Sequence, residues 1–129
     1  MPRLGRRPTG ELLARFVTAY EAVDLDTVVA LLTDDVFISM PPMPFEYQGR
    51  AVVADFCSRL FAAGRRFDLV ATRANGQPAY GVYLRAADGT GLGVGLIVLT
   101  LSGNRISAMT PFEATVLPWF ALPPSLPGR

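Results

Sequence analysis

Glu113 is the residue whose surroundings best suit acid or base chemistry. It follows Met109 and Pro111 at alternate positions, so on a strand the three side chains share one face. A carboxylate held against apolar neighbours loses hydration, which raises its pKa and lets it exchange a proton near neutral pH. The sequence leaves a second interpretation open, in which Glu113 forms a salt bridge at a rim or ends a strand in solvent.

Glu46 is the second candidate carboxylate. It follows a proline-rich turn at residues 41–44, where the prolines prevent regular strand pairing. If Glu46 and Glu113 face one cavity, they form a carboxylate pair suited to acid–base work. The alternative is an exposed acid on a loop. The hydroxyls of Tyr20 and Tyr80 can orient a ligand, or these side chains can belong to the core or to an interface.

The residue types that are absent exclude several kinds of chemistry. The chain has no histidine, and its twelve basic residues are all arginine. It therefore has no Ser-His-Asp or Cys-His catalytic set, no histidine-based zinc site and no lysine for a Schiff base. A single cysteine, Cys57, excludes a disulfide framework and a thiolate metal cluster, and its helical, apolar surroundings indicate a buried, inert thiol. We expect neither a metal nor a cofactor.

Length and composition are those of one compact domain. Half of the 129 residues are hydrophobic, and the mean hydropathy is +0.32. A net charge of +1 gives no reason to expect nucleic acid as a partner. No apolar run approaches the ~18 residues of a membrane span, and the N-terminus lacks the apolar segment of a signal peptide. We expect a soluble, cytoplasmic protein.

Hydrophobic spacing predicts three helices in the first half of the chain. Apolar residues at three- and four-residue steps indicate a helix over about residues 10–22, preceded by a basic, flexible leader at residues 1–9. A second, shorter helix is predicted to end near Thr33. The third is predicted from Ala51 to about Ala63.

Short strands separated by turn residues account for most of the remainder. They are predicted at Val36 to Met40, Phe67 to Arg73, Tyr80 to Arg85, Leu92 to Leu101 and Arg105 to about Thr115, with turns such as Asn75-Gly76 between them. The pattern predicts an α+β domain at residues 10–117, with helices covering the concave side of a bent sheet. Residues 118–129 are expected to form a proline-rich flap, in which Trp119 and Phe120 close the pocket or bury a dimer face.

Several stretches match one known superfamily. The run from Leu13 to Pro41 combines a helix, a short apolar helix, the acidic pair Asp34-Asp35 and an extended turn. It resembles the nuclear transport factor 2-like superfamily, which includes ketosteroid isomerases, SnoaL-like polyketide cyclases and limonene-epoxide hydrolases. The resemblance implies a cone-shaped fold with three N-terminal helices packed on a curved, mainly antiparallel sheet.

Further motifs are similar to the SnoaL-like domain at the C-terminus of some extracytoplasmic-function sigma factors. They are Met40-Pro41-Pro42, Tyr47-Gln48-Gly49-Arg50, the run from Thr72 to Ala79, Val98 to Leu101, and Arg105-Ile106-Ser107. The similarity covers nearly the whole chain from about residue 10. Because the chain starts with Met1 and carries no sigma domains, we expect a free-standing relative.

The resemblance also implies that the catalytic set of ketosteroid isomerases is missing. Their helix tyrosine, general base and second oxyanion donor correspond to Phe16, Met40 and a position near Leu96. The aspartate pair of limonene-epoxide hydrolases has no evident counterpart. Glu113, by contrast, matches a position that points into the cavity of ketosteroid isomerases, and Glu46 stands where the sigma-factor domains have an aromatic residue.

Two functions follow from the resemblance. One is a cofactor-independent cyclase, isomerase or epoxide-opening enzyme of bacterial secondary metabolism, with Glu113 as acid or base and Glu46 assisting. The other is a non-catalytic ligand-sensing or regulatory domain related to the sigma-factor domain. For both we expect a small apolar or polyketide-like ligand and a homodimer formed through the sheet. The expected ligand-binding residues are Phe16, Tyr20, Phe37, Met40, Tyr80, Val94, Leu96, Met109 and Trp119. A third possibility is a homodimeric scaffold whose interior is filled by the same phenylalanines and methionines.

Overall fold

A computed structural model describes residues 6–41, 44–62 and 64–127. Its elements are α1 (Arg6–Glu21), α2 (Leu25–Ala30), β1 (Leu32–Ser39), β2 (Glu46–Gln48), α3 (Arg50–Leu60), β3 (Phe67–Ala74), β4 (Gln77–Arg85), β5 (Gly91–Ser102), β6 (Arg105–Glu113), a 3₁₀ helix (Ala114–Phe120) and β7 (Ser125–Leu126). The predicted α+β class is confirmed. Among the described residues, no helix is long and apolar enough to cross a membrane.

The described strands all belong to one sheet. Its strand order is β2-β1-β6-β5-β4-β3, and every pair is antiparallel except β1 with β6. The predicted meander of β3 to β6 is confirmed. Its first turn has φ of 53° at Asn75 and 79° at Gly76, the left-handed values that a two-residue hairpin of this type requires.

The helices pack on the concave face of the sheet and form the main core with it. On α1, the buried residues Leu12, Phe16 and Tyr20 recur every four positions and so lie on one face. The ring of Phe16 lies 6.1 Å from that of Tyr80 on β4, which ties α1 to the middle of the sheet. The apolar face predicted for the first helix is therefore the face that is buried.

The C-terminal residues cover part of the convex face. Leu117 of the 3₁₀ helix and Leu122 are buried there against Leu96 and other residues of β4 and β5. Beyond the point where β6 ends, β7 pairs with β5 in its place, and the backbone amide of Gly93 donates to the carbonyl oxygen of Pro124 at 2.8 Å. The predicted flap is thus a structured segment that extends the sheet.

A buried ion pair links the strands at the far side of the meander. Asp68 of β3 is 5% exposed, and the guanidinium group of Arg85 on β4 donates to both of its carboxylate oxygens. The carboxylate of Glu21, at the end of α1, accepts a hydrogen bond from the backbone amide of Leu69 at 2.8 Å. These contacts fix the end of α1 against β3.

Element boundaries differ from the sequence predictions at both ends of the helical region. Helix α1 begins at Arg6, so residues 6–9 are helical and do not belong to a leader; a proline in the first turn is compatible with this because amides there have no helical partner. The predictions for residues 1–5, for Pro42, for Ala63 and for the last two residues of the flap, 128–129, lie outside the described residues. Helix α3 begins at Arg50 and ends at Leu60, close to its predicted limits.

The second helix was wrongly extended to Thr33. Helix α2 ends at Ala30, and β1 begins at Leu32, earlier than the predicted Val36. The cause is tertiary pairing: Leu32 stands opposite Ile106 of β6, and the backbone amide of Ile106 donates to the carbonyl of Leu31 at 2.8 Å. The register then shifts before Phe37, so the intervening residues of β1 bulge from the sheet.

Candidate functional site

An apolar cavity of about 150 Å³ lies between the helices and the concave face of the sheet. Its walls come from α1, α3 and five strands. The lining residues are Tyr20, Ile38, Phe56, Cys57, Leu60, Phe67, Val82, Val94, Gly95, Leu96, Ile97, Met109, Pro111 and Phe112. None of these side chains carries a formal charge at neutral pH, so the cavity suits an uncharged occupant.

Tyr20 and Cys57 supply the polar side chains of the lining. Tyr20 is 5% exposed and Cys57 is 3% exposed. Burial raises the pKa of the Cys57 thiol from 9.0 to about 11. Burial also raises the pKa of the Tyr20 hydroxyl well above its ordinary value, with a smaller contribution from the nearby Cys57. Both groups therefore keep their protons at neutral pH, because burial penalises the charged forms.

Aromatic neighbours hold the ring of Tyr20 in one position. The ring of Phe61 meets it edge-on at 5.2 Å, the ring of Phe67 lies at 5.6 Å, and that of Phe16 lies at 5.5 Å. Edge-to-face contacts at such separations are favourable. The part of the chain that the structure describes shows no hydrogen bond to the Tyr20 hydroxyl. This oxygen is not among the fully buried side-chain atoms that lack a partner, which are Thr33 Oγ1 and Arg50 Nε.

The structure brings together four of the nine expected ligand-binding residues. Tyr20, Val94, Leu96 and Met109 line the cavity. Two others, Phe16 and Tyr80, are buried in the main core behind the lining. The remaining three lie elsewhere, with Phe37 and Met40 partly buried on and after β1, and Trp119 85% exposed on the convex side.

Both candidate carboxylates are exposed and lie outside the set of lining residues. Glu113 is the last residue of β6 and stands opposite Gly95 of β5. Its predecessors Pro111 and Phe112 line the cavity, so Glu113 is located at the rim. Glu46 is on the edge strand β2, opposite Ser39 of β1.

Sequence reasoning missed the contribution of α3 and of the strand irregularity in β5. Phe56, Cys57 and Leu60 line the cavity from one face of α3, and their helical spacing was the available signal. In β5 the pairing with β4 shifts between Val82 and Tyr83, which leaves Val94 as the extra residue of a bulge beside the cavity. Val94 itself was an expected ligand-binding residue, but no sequence pattern marked the bulge that places it there.

A second concave surface lies toward the other side of the sheet, and it shares Leu96 and Phe112 with the lining of the inner cavity. This outer groove has a volume of about 470 Å³ and is lined by Ala74, Asn75, Gln77, Leu96, Val98, Thr110, Phe112, Val116, Trp119 and Phe120. None of these described residues carries a formal charge. Among the described residues, no group of three or more histidine, cysteine, aspartate or glutamate side chains could hold a metal ion.

Comparison with known proteins gives one family and several relatives. The family model for the SnoaL-like domain matches residues 13–109. The chain is 38% identical over 119 residues to the ECF RNA polymerase sigma factor SigG of Mycobacterium tuberculosis, which covers 90% of this chain and 32% of that protein. The chain thus spans about a third of the length of the curated relatives it matches.

Solved structures share the fold. An NTF2-like protein from Mesorhizobium loti superposes with a TM-score of 0.67 and 20% identity, over 83% of this chain and 91% of that chain. A putative polyketide cyclase from Xanthomonas campestris pv. campestris gives a TM-score of 0.63 and 23% identity, over 91% of this chain and 96% of that chain. The expected NTF2-like fold is confirmed.

Proposed function

Because this chain belongs to the SnoaL-like domain family, we propose that it is a ligand-binding domain that holds a small, uncharged and largely apolar molecule in its inner cavity. The observation that carries the proposal is the composition of the cavity wall, which is apolar apart from two protonated groups. A ligand with a formal charge would lose its hydration there without meeting an opposite charge.

The volume of the cavity limits the size of the ligand. An apolar cavity of about 150 Å³ in another protein stays dry and binds benzene, and the cavity of this chain has a similar volume. Favourable binding of a six-atom ring is expected to amount to roughly 4–5 kcal/mol, a Kd on the order of 0.1–1 mM.

A sensing role accounts for the cavity better than catalysis does. Among the described residues, the lining contains no carboxylate and no charged group that could exchange a proton at neutral pH. The similarity to part of a sigma factor supports a domain that reports the presence of a ligand to the transcription machinery. We also propose that the chain forms the expected homodimer. Its contact surface would be the uncharged outer groove together with the exposed Trp119.

Filling the cavity tests the ligand-binding proposal. Val82 is buried on the cavity wall, and Val82→Phe places a ring in the space that a ligand would take. Val98 is equally buried but lines the outer groove, so Val98→Phe is the matched control. Benzene should raise the Tm of the wild type and of Val98→Phe, because a ligand that binds only the native state stabilises it. Val82→Phe should show no such rise.

Two further measurements make that test decisive. Circular dichroism establishes that each variant is folded, and Leu60→Phe fills the cavity from the partly exposed face of α3 if Val82→Phe is too strained to fold. Absence of any benzene effect on the wild type, or an equal effect on the wild type and on the filled variant, would contradict the proposal.

A second candidate function is acid–base catalysis at the rim. It is supported by the position of Glu113, which directly follows two lining residues and faces a third across the strand pair. In this case the substrate would be a polyketide-like ketone or an epoxide, with Glu113 as acid or base and Glu46 assisting. Glu113→Gln should then abolish turnover and leave the fold intact, whereas Glu11→Gln, an exposed change on α1, should leave turnover unchanged. Full activity of Glu113→Gln would remove that residue from the mechanism.

A further inference from the structure

One polar spot interrupts the apolar wall of the inner cavity. Tyr20 reaches it from α1 and Cys57 from α3, and the two side chains are close enough for the charge state of Cys57 to affect the Tyr20 hydroxyl. Both residues are more than nine-tenths buried. The two groups are therefore the side-chain hydrogen-bond donors of a cavity whose other described side chains are apolar.

The Tyr20 hydroxyl is left without a partner by the protein. In the described ranges 6–41, 44–62 and 64–127 no donor or acceptor is hydrogen-bonded to it. The residue is 5% exposed and lines the cavity, and its oxygen is not among the fully buried atoms that lack a partner, so the hydroxyl stays accessible to a molecule in the cavity. A hydroxyl group that faces an apolar cavity gains free energy from a hydrogen-bond partner, because without one it loses hydration and receives nothing in exchange. The surrounding aromatic rings prevent the tyrosine from turning away to find a partner elsewhere.

We propose that the Tyr20 hydroxyl, with the Cys57 thiol beside it, is a recognition site that donates a hydrogen bond to a single oxygen acceptor on an uncharged, ring-sized ligand. The chemical class is a cyclic ketone, cyclic ether or epoxide, whose shared feature is one neutral oxygen on a hydrocarbon frame. This inference rests on the proposed ligand-binding function, and it adds the polar feature that selects among ligands of equal size.

The protonation states of the two groups decide the direction of the hydrogen bond. Burial raises the pKa of both Tyr20 and Cys57, so each presents a proton at neutral pH. A ligand with an acceptor oxygen can accept a hydrogen bond from the Tyr20 hydroxyl. A carboxylate or phenolate ligand would lose its hydration in the cavity without meeting a cation among the described lining residues. The site therefore distinguishes ligands by a neutral acceptor and excludes anions.

The experiment compares two ligands of the same shape in three proteins. Cyclohexanone and methylenecyclohexane differ only in an exocyclic oxygen or CH₂ group, so their dissociation constants isolate the acceptor. They are measured by titration followed by two-dimensional NMR for the wild type, for Tyr20→Phe and for Tyr80→Phe. Tyr80 is the matched control because it is also a buried tyrosine of the main core but does not line the cavity.

Tyr20→Phe should weaken cyclohexanone binding by roughly two- to ten-fold, which is the range expected for one neutral hydrogen bond. Methylenecyclohexane should bind the wild type and Tyr20→Phe equally well, and Tyr80→Phe should change neither ligand. In the infrared spectrum, the carbonyl stretching band of bound cyclohexanone should move to lower frequency in the wild type and return toward its hydrocarbon-solvent position in Tyr20→Phe.

The outcomes separate this inference from the function on which it rests. If both ligands bind the wild type but Tyr20→Phe changes their affinities by the same factor, the recognition site is refuted and the ligand-binding function stands. If neither ligand binds the wild type, the ligand-binding function itself fails. An unshifted carbonyl band in the bound wild-type complex would also overturn the proposed hydrogen bond.

Discussion

Alkaline pH should destabilise the wild-type protein more than a variant that lacks the Cys57 thiol. Burial raises the pKa of this thiol from 9.0 to about 11 in the folded protein, whereas in the unfolded chain the thiol ionises near its ordinary value. Between these two values the folded state holds one more proton than the unfolded state. The free energy of unfolding therefore falls as the pH rises through this window.

The size of the effect follows from the shift. Each pKa unit corresponds to about 1.4 kcal/mol, so the thiol contributes at most about 3 kcal/mol. This contribution is fully present below about pH 9 and is lost by about pH 11. The Cys57 side chain therefore stabilises the folded state only in the pH range in which its thiol is protonated there.

Urea unfolding followed by circular dichroism, at steps from about pH 8 to about pH 11, measures the difference. The comparison is between the wild type and Cys57→Val, which keeps an apolar side chain of similar size on α3. Tyrosines titrate in both proteins, so only the difference between the two pH profiles is assigned to the thiol. Parallel profiles for the two proteins would refute the reasoning that burial of Cys57 opposes its ionisation.

Three other changes have clear expected outcomes. Gly95→Ala would place a Cβ atom 2.5 Å from the backbone carbonyl oxygen of Phe112, and it should lower the free energy of unfolding by about 1–3 kcal/mol in urea denaturation. Tyr83→Phe removes a 2.8 Å hydrogen bond to the carbonyl of Pro123 and should cost about 1 kcal/mol, with faster proteolysis of the C-terminal segment. Trp119→Glu should leave the Tm nearly unchanged, because the side chain is 85% exposed, but should shift sedimentation from dimer to monomer. A dimeric Trp119→Glu protein would disprove the proposed contact surface.

Much of the fold was predictable because it depends on local patterns. The buried face of α1 follows from the spacing of Leu12, Phe16 and Tyr20, and the hairpin between β3 and β4 follows from Asn75-Gly76. The start of β1 was not predictable in this way. Leu32 is drawn into the sheet by its pairing with β6, and no nearby residue encodes that distant contact.

The site was predictable only in part, for a related reason. Tyr20 and Met109 were expected to contact a ligand and do line the cavity, as their periodic positions on α1 and β6 require. Cys57 was expected to be buried, which is confirmed, but its place on the cavity wall was missed. Which buried residues face an unfilled space depends on how far α3 stands from the sheet, and this distance has no signature in sequence periodicity.

The parallel pairing of β1 with β6 has a consequence for the order in which the protein folds. Strands β3 to β6 pair with their neighbours in the chain, whereas β1 must find a partner from which most of the chain separates it. Contacts between distant segments carry the largest loop-closure cost, so we expect β1 and the helices to dock after the hairpins have formed. The cavity is closed by this last step. An occupant of the cavity should therefore prolong the lifetime of the folded protein while leaving the folding rate unchanged.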